Sequence, residues 1–423
     1  MSAKPPDEFV NFVAMDVNPV ILSIPIFLVL IGAEVLYDRI KNRHMYRLND
    51  AVTNISCGIV EQVTGLFAKV FTVAAYHVIF VNFALFEIPN TWYFWLLAFL
   101  GVDFFYYWAH RMSHQVNFMW LGHVVHHQSE DYNLSVALRQ STFQKIFTFY
   151  FYFPMALLGF PTEWFLLLGA YNLLYQFWIH TEVIGYLGPF EYIFNTPSHH
   201  RVHHGRDPKY IDKNHGGTLI IWDRLFGTFA KEEETPTYGI TKPTESFNAV
   251  YANIKPFREL WDEMKQLPGW RNKLMLALKP PGWWPDSMGG FRKPPPVVKA
   301  TYKKFDVQLS QQESYYLFAQ YLFILGGTAW FLFGVANFSW PVITVLALAV
   351  IYSVMSLGLM FEKRSYSVRV EGIRLVISAA VMVWALMPLT GAVAAIGMAL
   401  AYLLASAAGL WYISAKPPLA HAA

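Results

Sequence analysis

The sequence predicts an all-α integral membrane protein of about nine transmembrane helices, and three observations lead there. The composition is 55% hydrophobic, 17% aromatic and only 14% charged, the balance of a chain that meets lipid over much of its surface. Apolar runs near the ~20 residues needed to cross a hydrocarbon core recur along the chain. Histidines return beside those runs at offsets of three and four, the spacing that gathers side chains on one face of a helix.

The expected spans, in order, are 19–38, 55–86, 91–109, 145–158, 163–180, 315–336, 340–361, 371–388 and 391–414. The fourth is short enough that 145–180 is alternatively a helical hairpin that does not fully cross. Val20 to Tyr37 lacks the basic flank of a cleavable signal and is read as a retained span. Basic residues set the orientation: Arg39, Lys41, Arg43 and Arg47 lie in one loop and Lys363, Arg364 and Arg369 in another. Loops 87–90, 159–162, 336–339 and 389–390 carry no Lys or Arg, so the basic loops, and every histidine cluster with them, fall on the cytosolic side. That layout predicts a multi-pass protein of the endoplasmic reticulum or a bacterial inner membrane. Between about 181 and 312 the chain is richer in Pro, Gly and charge, and Phe257 to Leu278 suits a helix lying on the bilayer as a cap below the site. Trp283 and Trp284 are expected in the headgroup zone, and Lys293-Pro-Pro-Pro as a stiff linker. The implied organisation is an N-terminal span and loop (1–54), a histidine-rich core (55–230), an interfacial segment (231–312) and a four-span block (313–423).

Net charge is +3, from 32 basic against 29 acidic residues, too balanced to imply a nucleic-acid partner. The single cysteine, Cys57, excludes an intramolecular disulfide and a thiolate cluster. Any metal site must therefore be built from histidine.

Of the fourteen histidines, nine are clustered: His110 and His114; His123, His126 and His127; His180; and His200, His203 and His204. Neutral imidazole suits iron, copper, zinc or nickel, and this many ligands exceeds one ion's coordination, so the pattern reads as a two-metal site. Asp103, Tyr107, His110 and His114 form a stripe leaving the third span. An intramembrane Asp is costly, and Asp103 is expected to accept the spare N–H of a metal-bound histidine, with satisfying a neighbouring helix as the alternative. His180 ends the fifth span as His110 nearly ends the third, so two helices deliver imidazoles at one depth. In His199-His200-Arg201-Val202-His203-His204 two registers compete, and spacing does not choose between them. His44, His77 and His421 join no cluster, and Glu61 and Lys69 are left to pair or snorkel.

The histidine boxes resemble those of the membrane fatty acid hydroxylase and sterol desaturase superfamily. A narrower resemblance, to the alkylglycerol monooxygenase family within it, lies in several stretches. They are Ser129-Glu130-Asp131-Tyr132-Asn133-Leu134-Ser135, Ala137-Leu138-Arg139-Gln140-Ser141, Leu174 to Glu182, Asn195-Thr196-Pro197-Ser198, and Trp222 to Phe229. The resemblance is dense from about 100 to 230. It implies a non-haem di-iron centre held by His110, His114, His123, His126, His127, His200, His203 and His204, with His180 as a further ligand and His199 left outside. It also implies O₂-dependent hydroxylation of the carbon next to the ether oxygen of an alkylglycerol lipid, giving fatty aldehyde and glycerol product.

The two-electron donor implied is a reduced pterin such as tetrahydrobiopterin, or another two-electron donor, with Gln115 as the candidate pterin contact. Arg139, Asn133 and Glu130 are candidates to contact the lipid head or the donor, with solvated-loop roles as the alternative. Gln115 stands where animal members carry an acidic residue, and His215 where they carry an aromatic one. His215 is read as a loop histidine, with a tenth ligand or a proton donor as alternatives. The lipid is expected to enter laterally from the bilayer. Two rivals share the boxes: a sibling hydroxylase or desaturase acting on sterol, fatty acyl or carotenoid chains, and a metal transporter or sensor, which would place its polar groups near the bilayer midplane instead.

Overall fold

The computed structural model describes residues 19–415. Their regular secondary structure is helical, joined by long irregular segments such as 226–248 and 289–310, with two isolated bridges, Phe194 to Leu219 and Gly205 to Tyr238, as their β-type pairing. In chain order the helices are α1 (Pro19–Lys41), α2 (Leu48–Phe83), α3 (Trp92–Gln115), α4 (Asn117–His127), α5 (Gln144–Thr148), α6 (Phe153–Leu158), α7 (Thr162–Trp178), α8 (Pro197–His203) and α9 (Ile221–Leu225). They continue with α10 (Ala249–Gln266), α11 (Gly269–Leu278), α12 (Gln311–Phe333), α13 (Trp340–Phe361), α14 (Ser367–Thr390) and α15 (Ala392–Ser414).

Five of the described helices, α2, α12, α13, α14 and α15, are long and apolar enough to cross a membrane. The protein is thus a helical membrane protein, while nine crossings is more than these lengths show. The expected fourth span is broken: 144–158 is two short α-helices joined by a 3₁₀ turn at Phe149–Tyr152, too short to cross a bilayer.

The described residues divide into two compact units, 19–244 with 253–304, and 245–252 with 305–415. In the first, Tyr76, Ala98, Val102, Met155, Ala156 and Trp164 make a buried apolar cluster between α2, α3, α6 and α7. A second cluster joins Leu121 of α4 to Leu260, Leu267, Leu276 and Trp284. The predicted interfacial helix is therefore two helices, α10 and α11, broken at Pro268-Gly269, where Gly269 takes a left-handed φ of 69°. Their apolar side underpins the helix that carries three of the histidines. Trp284, expected at a headgroup surface, is instead buried in this cluster with the Arg292 guanidinium 3.6 Å over its ring.

In the second unit α12 opens with a capping box, Ser310 accepting from the Glu313 N–H and Glu313 from the Ser310 N–H. α14 and α15 form an antiparallel pair turning at Gly391, whose φ is 81°. Two ionisable residues are fully buried here. Arg374 pairs with Glu371 and donates to Gln320 Oε1 at 2.7 Å and to the Tyr402 hydroxyl at 2.6 Å. Tyr316 and Ser356 donate to Glu371.

Candidate metal centre

Four elements of the first unit deliver imidazoles. α3 ends with His110 and His114, α4 with His123, His126 and His127, the residue run after α7 supplies His180, and α8 and its C-cap supply His200, His203 and His204. The nine fall into two groups whose nearest ring nitrogens lie within 4.8 Å of one another: His110, His114, His123, His127 and His203, and then His126, His180, His200 and His204. Every one is buried. α4 contributes to both groups because its three histidines point to two sides of one helix end. Of the two competing registers, the last box uses 200/203/204. His199 turns away, with Nε2 3.4 Å from Glu191 Oε2 and its ring against Phe229.

The hydrogen bonds fix which nitrogen faces inward. Nδ1 of His110, His126, His180 and His203 lies 2.7, 2.9, 2.7 and 2.9 Å from the carbonyls of His215, Arg139, Gln176 and Lys213. A carbonyl only accepts, so each Nδ1 carries the proton and each neutral ring is left with a lone pair on Nε2. Nε2 of His126 and Nε2 of His180 then face one another at 3.2 Å. Two lone pairs at that separation repel, and a cation between them turns the clash into coordination. The neighbouring contacts, His110 Nε2 to His123 Nε2 at 2.9 Å and His204 Nε2 to His126 Nε2 at 3.1 Å, have the same converging form. Burial also pushes the proton off these rings: His126 is lowered to about 4, and His127, His200, His203 and His204 fall well below their ordinary value, helped by neighbouring imidazoles. Neutral imidazole is the ligand form, and two groups of five and four suit two transition-metal ions.

Several expected roles change. Asp103 holds no histidine; it is fully buried and accepts from Asn172 at 2.7 Å, the Thr218 and Leu219 N–H groups at 2.8 and 3.1 Å, and the Trp222 indole at 2.9 Å. Its carboxylate ties the 218–222 turn to α3 and α7, and main-chain carbonyls take the histidine N–H groups instead. Arg139 is buried, its guanidinium donating to Val125 O, Asn54 Oδ1 and Gln128 Oε1 at 2.7, 2.9 and 3.0 Å. Asn133 is likewise internal, donating to Met45 O at 2.8 Å and accepting from Ser135 Oγ at 2.6 Å. Glu130 accepts from the Tyr302 hydroxyl. These hydrogen bonds brace the scaffold around the histidines. Gln115 is half-buried at the last position of α3. Glu61 pairs with Lys145 at 2.6 Å, not with Lys69. His77 lies 3.0 Å from the Thr162 hydroxyl, His44 is exposed, and His421 lies outside the described residues.

Three positioning residues escape a reading by histidine spacing. Glu34 of α1 accepts from Tyr46, Thr181 and the Leu134 N–H, the last at 2.8 Å, fastening the residue after His180 to the first helix. An acid inside the first apolar run was the available signal. Asp223 accepts from the His215 and Gly216 N–H groups, both at 2.7 Å, and from Thr228. Arg201 grips Glu232 at 2.7 and 2.6 Å and the Thr181 and Ile184 carbonyls at 2.9 and 2.8 Å, holding α8 against the His180 turn. His215, read as a loop residue, is wholly buried beside His114, with ring centroids 5.1 Å apart.

This helical, histidine-lined architecture belongs to a membrane enzyme of lipid oxidation: residues 95–228 match the fatty acid hydroxylase family. Within that class the chain belongs to the alkylglycerol monooxygenase family. It is 43% identical to alkylglycerol monooxygenase of Xenopus tropicalis over 78% of this chain and 74% of the relative, and 41% identical to that of Homo sapiens over 83% and 79%. Similarity extends more thinly to an ornithine lipid hydroxylase of Rhizobium tropici, 32% identical over 33% of this chain and 44% of that one. No solved structure gives a match.

Proposed function

We propose that the protein is an O₂-dependent di-iron monooxygenase that cleaves the ether bond of alkylglycerol lipids, hydroxylating the carbon next to the ether oxygen. The observation that carries the metal half of this reading is the facing pair of Nε2 lone pairs on His126 and His180, 3.2 Å apart. Membership in the alkylglycerol monooxygenase family supports the substrate. Two iron ions, held by the five- and four-histidine groups, supply oxygen activation and hydrogen removal when bound. One oxygen atom enters the C–H bond and the other leaves as water, with two electrons from a reduced pterin or another two-electron donor. The hydroxylated carbon is then a hemiacetal, which parts into fatty aldehyde and a free glycerol hydroxyl.

The protein's own residues keep the ligands neutral, aim them through main-chain carbonyls and exclude bulk water by burial. The basic loops at 39–47 and 363–369 support a cytosolic site in a multi-pass protein, which the alkyl chain reaches from the bilayer. Gln115, at the last position of α3, offers an amide to a pterin ring.

The test is aerobic turnover of a long-chain alkylglycerol by membranes expressing this chain, with and without a reduced pterin, following fatty aldehyde. Pterin-dependent aldehyde is expected. Its absence with either donor from iron-loaded protein would move the substrate to sterol, fatty acyl or carotenoid chains.

A further inference from the structure

His114, Asp212 and His215 form a third metal-competent group, their ligand atoms within 4.8 Å of one another. His215 has no exposed surface, and neither of its ring nitrogens has a hydrogen-bond partner. The nearest carboxylate, Asp223, stands 3.6 Å from Nδ1 with its oxygens already accepting from the His215 and Gly216 N–H groups. A buried imidazole unsatisfied at both nitrogens costs free energy, and a native fold keeps such a group where something else binds it. Asp212 differs from the rest of the centre in two ways. It is an acid among imidazoles, and its side chain is 43% exposed, while His114 and His215 beside it are buried. The group therefore reaches from solvent to the five-histidine group, and His114 belongs to both. His114 turns Nδ1 to Asp212 Oδ1, 3.4 Å away, while its Nε2 has no partner.

We propose that His114, Asp212 and His215 are a capture site through which a divalent transition-metal ion enters the five-histidine group. Two imidazoles and a carboxylate with open positions are a recurrent donor set for such ions. Three ligands bind an ion more weakly and exchange it faster than five. Sharing His114 makes capture and final seating successive, because one imidazole passes from the outer set to the inner one. The carboxylate at the mouth draws a cation out of water, and His215 gives it a second nitrogen before the deeper ligands close on it. The inference rests on the two-metal reading above, and its test separates the two.

Metal-stripped full-length protein in detergent is mixed with Co(II), and cobalt absorption is followed in time, with bound cobalt counted at the end by mass spectrometry. Wild type taking up two ions per chain supports the two-metal reading; fewer than two sinks that reading by itself. For the capture site, Asp212→Asn and His215→Phe should each slow loading at least tenfold while the final count stays at two and the final spectrum is unchanged. Asp212→Asn, at a half-exposed side chain, keeps shape and fold. Loading as fast as wild type in both variants would overturn the proposal. A final count below two would overturn it as well, because the residues would then be permanent ligands.

Discussion

At the scale of single residues, the centre is a problem of lone pairs. His126 sits where three demands meet, with Nδ1 on the Arg139 carbonyl and Nε2 within 3.2 Å of both His180 and His204. His126→Ala should abolish aldehyde release and lower bound iron by at least half, measured by mass spectrometry on purified protein; full turnover with full iron would refute the four-histidine group. Gln115→Glu should raise the dependence on a reduced pterin, and an unchanged donor profile would leave that position without a role. The same burial makes the metal-free protein acid-sensitive. His126 titrates at about 4 in the fold against roughly 6.5 when unfolded, so between those values the unfolded chain binds more protons and stability falls as pH drops. Above about 6.5 the contribution is flat. Thermal melting of chelator-treated protein between pH 4 and 8 checks the sign. Eight of the nine histidines were legible in the sequence because helical offsets of three and four are local, and His180 by its place at the end of an apolar run. Asp103 was legible as important and its partners were not: Asn172, Thr218 and Trp222 lie at distances along the chain that periodicity does not reach. The backbone carbonyls that take Nδ1 protons have no signature in side-chain sequence at all.

At the scale of elements, α4 is held by what lies beneath it. Leu276 of α11 is 1% exposed and packs with Leu121, two residues before His123. Leu276→Ala should cost about 2–5 kcal/mol through lost burial and a cavity, read as a lower melting temperature. On another side Gly122 leaves no room for a side chain, a Cβ there falling 2.6 Å from the Phe147 ring and 3.2 Å from the Gln144 Cα. Gly122→Ala should push α4 away from α5, cost roughly 1–3 kcal/mol and weaken metal retention, as faster loss to a chelator would show. The sequence marked an amphipathic stretch here but assigned its apolar side to lipid. Composition does not distinguish a membrane surface from a protein one, and only the fold shows Leu121 as the partner. The break of 144–158 falls just before Pro154, which sits in the first turn of α6 and has no N–H to continue a preceding helix, and hydropathy averages over such a break.

At the scale of the whole molecule, the two units carry their polar interiors differently. The first spends them on histidines, the second on the Arg374–Glu371 pair and its tyrosine, serine and glutamine partners. Breaking a buried pair strands a charge, so Arg374→Met should cost about 3–5 kcal/mol, whereas replacing both members by Arg374→Met with Glu371→Leu should recover most of it. Melting in detergent distinguishes these outcomes, and equal loss in the single and double variants would refute the pairing. The four apolar helices α12 to α15 were legible as a block because length and hydropathy suffice. The histidine-bearing unit was legible by its chemistry and less so by its crossings, since a site this polar shortens and interrupts the helices that build it.

The carbonyls of His215, Arg139, Gln176 and Lys213, which receive the Nδ1 protons, belong to the main chain. Exchanging a side chain cannot delete such an acceptor. The basicity and aim of these four ligands are thus inherited with the path of the backbone, and descendants can re-tune them by bending a loop far more readily than by a single substitution.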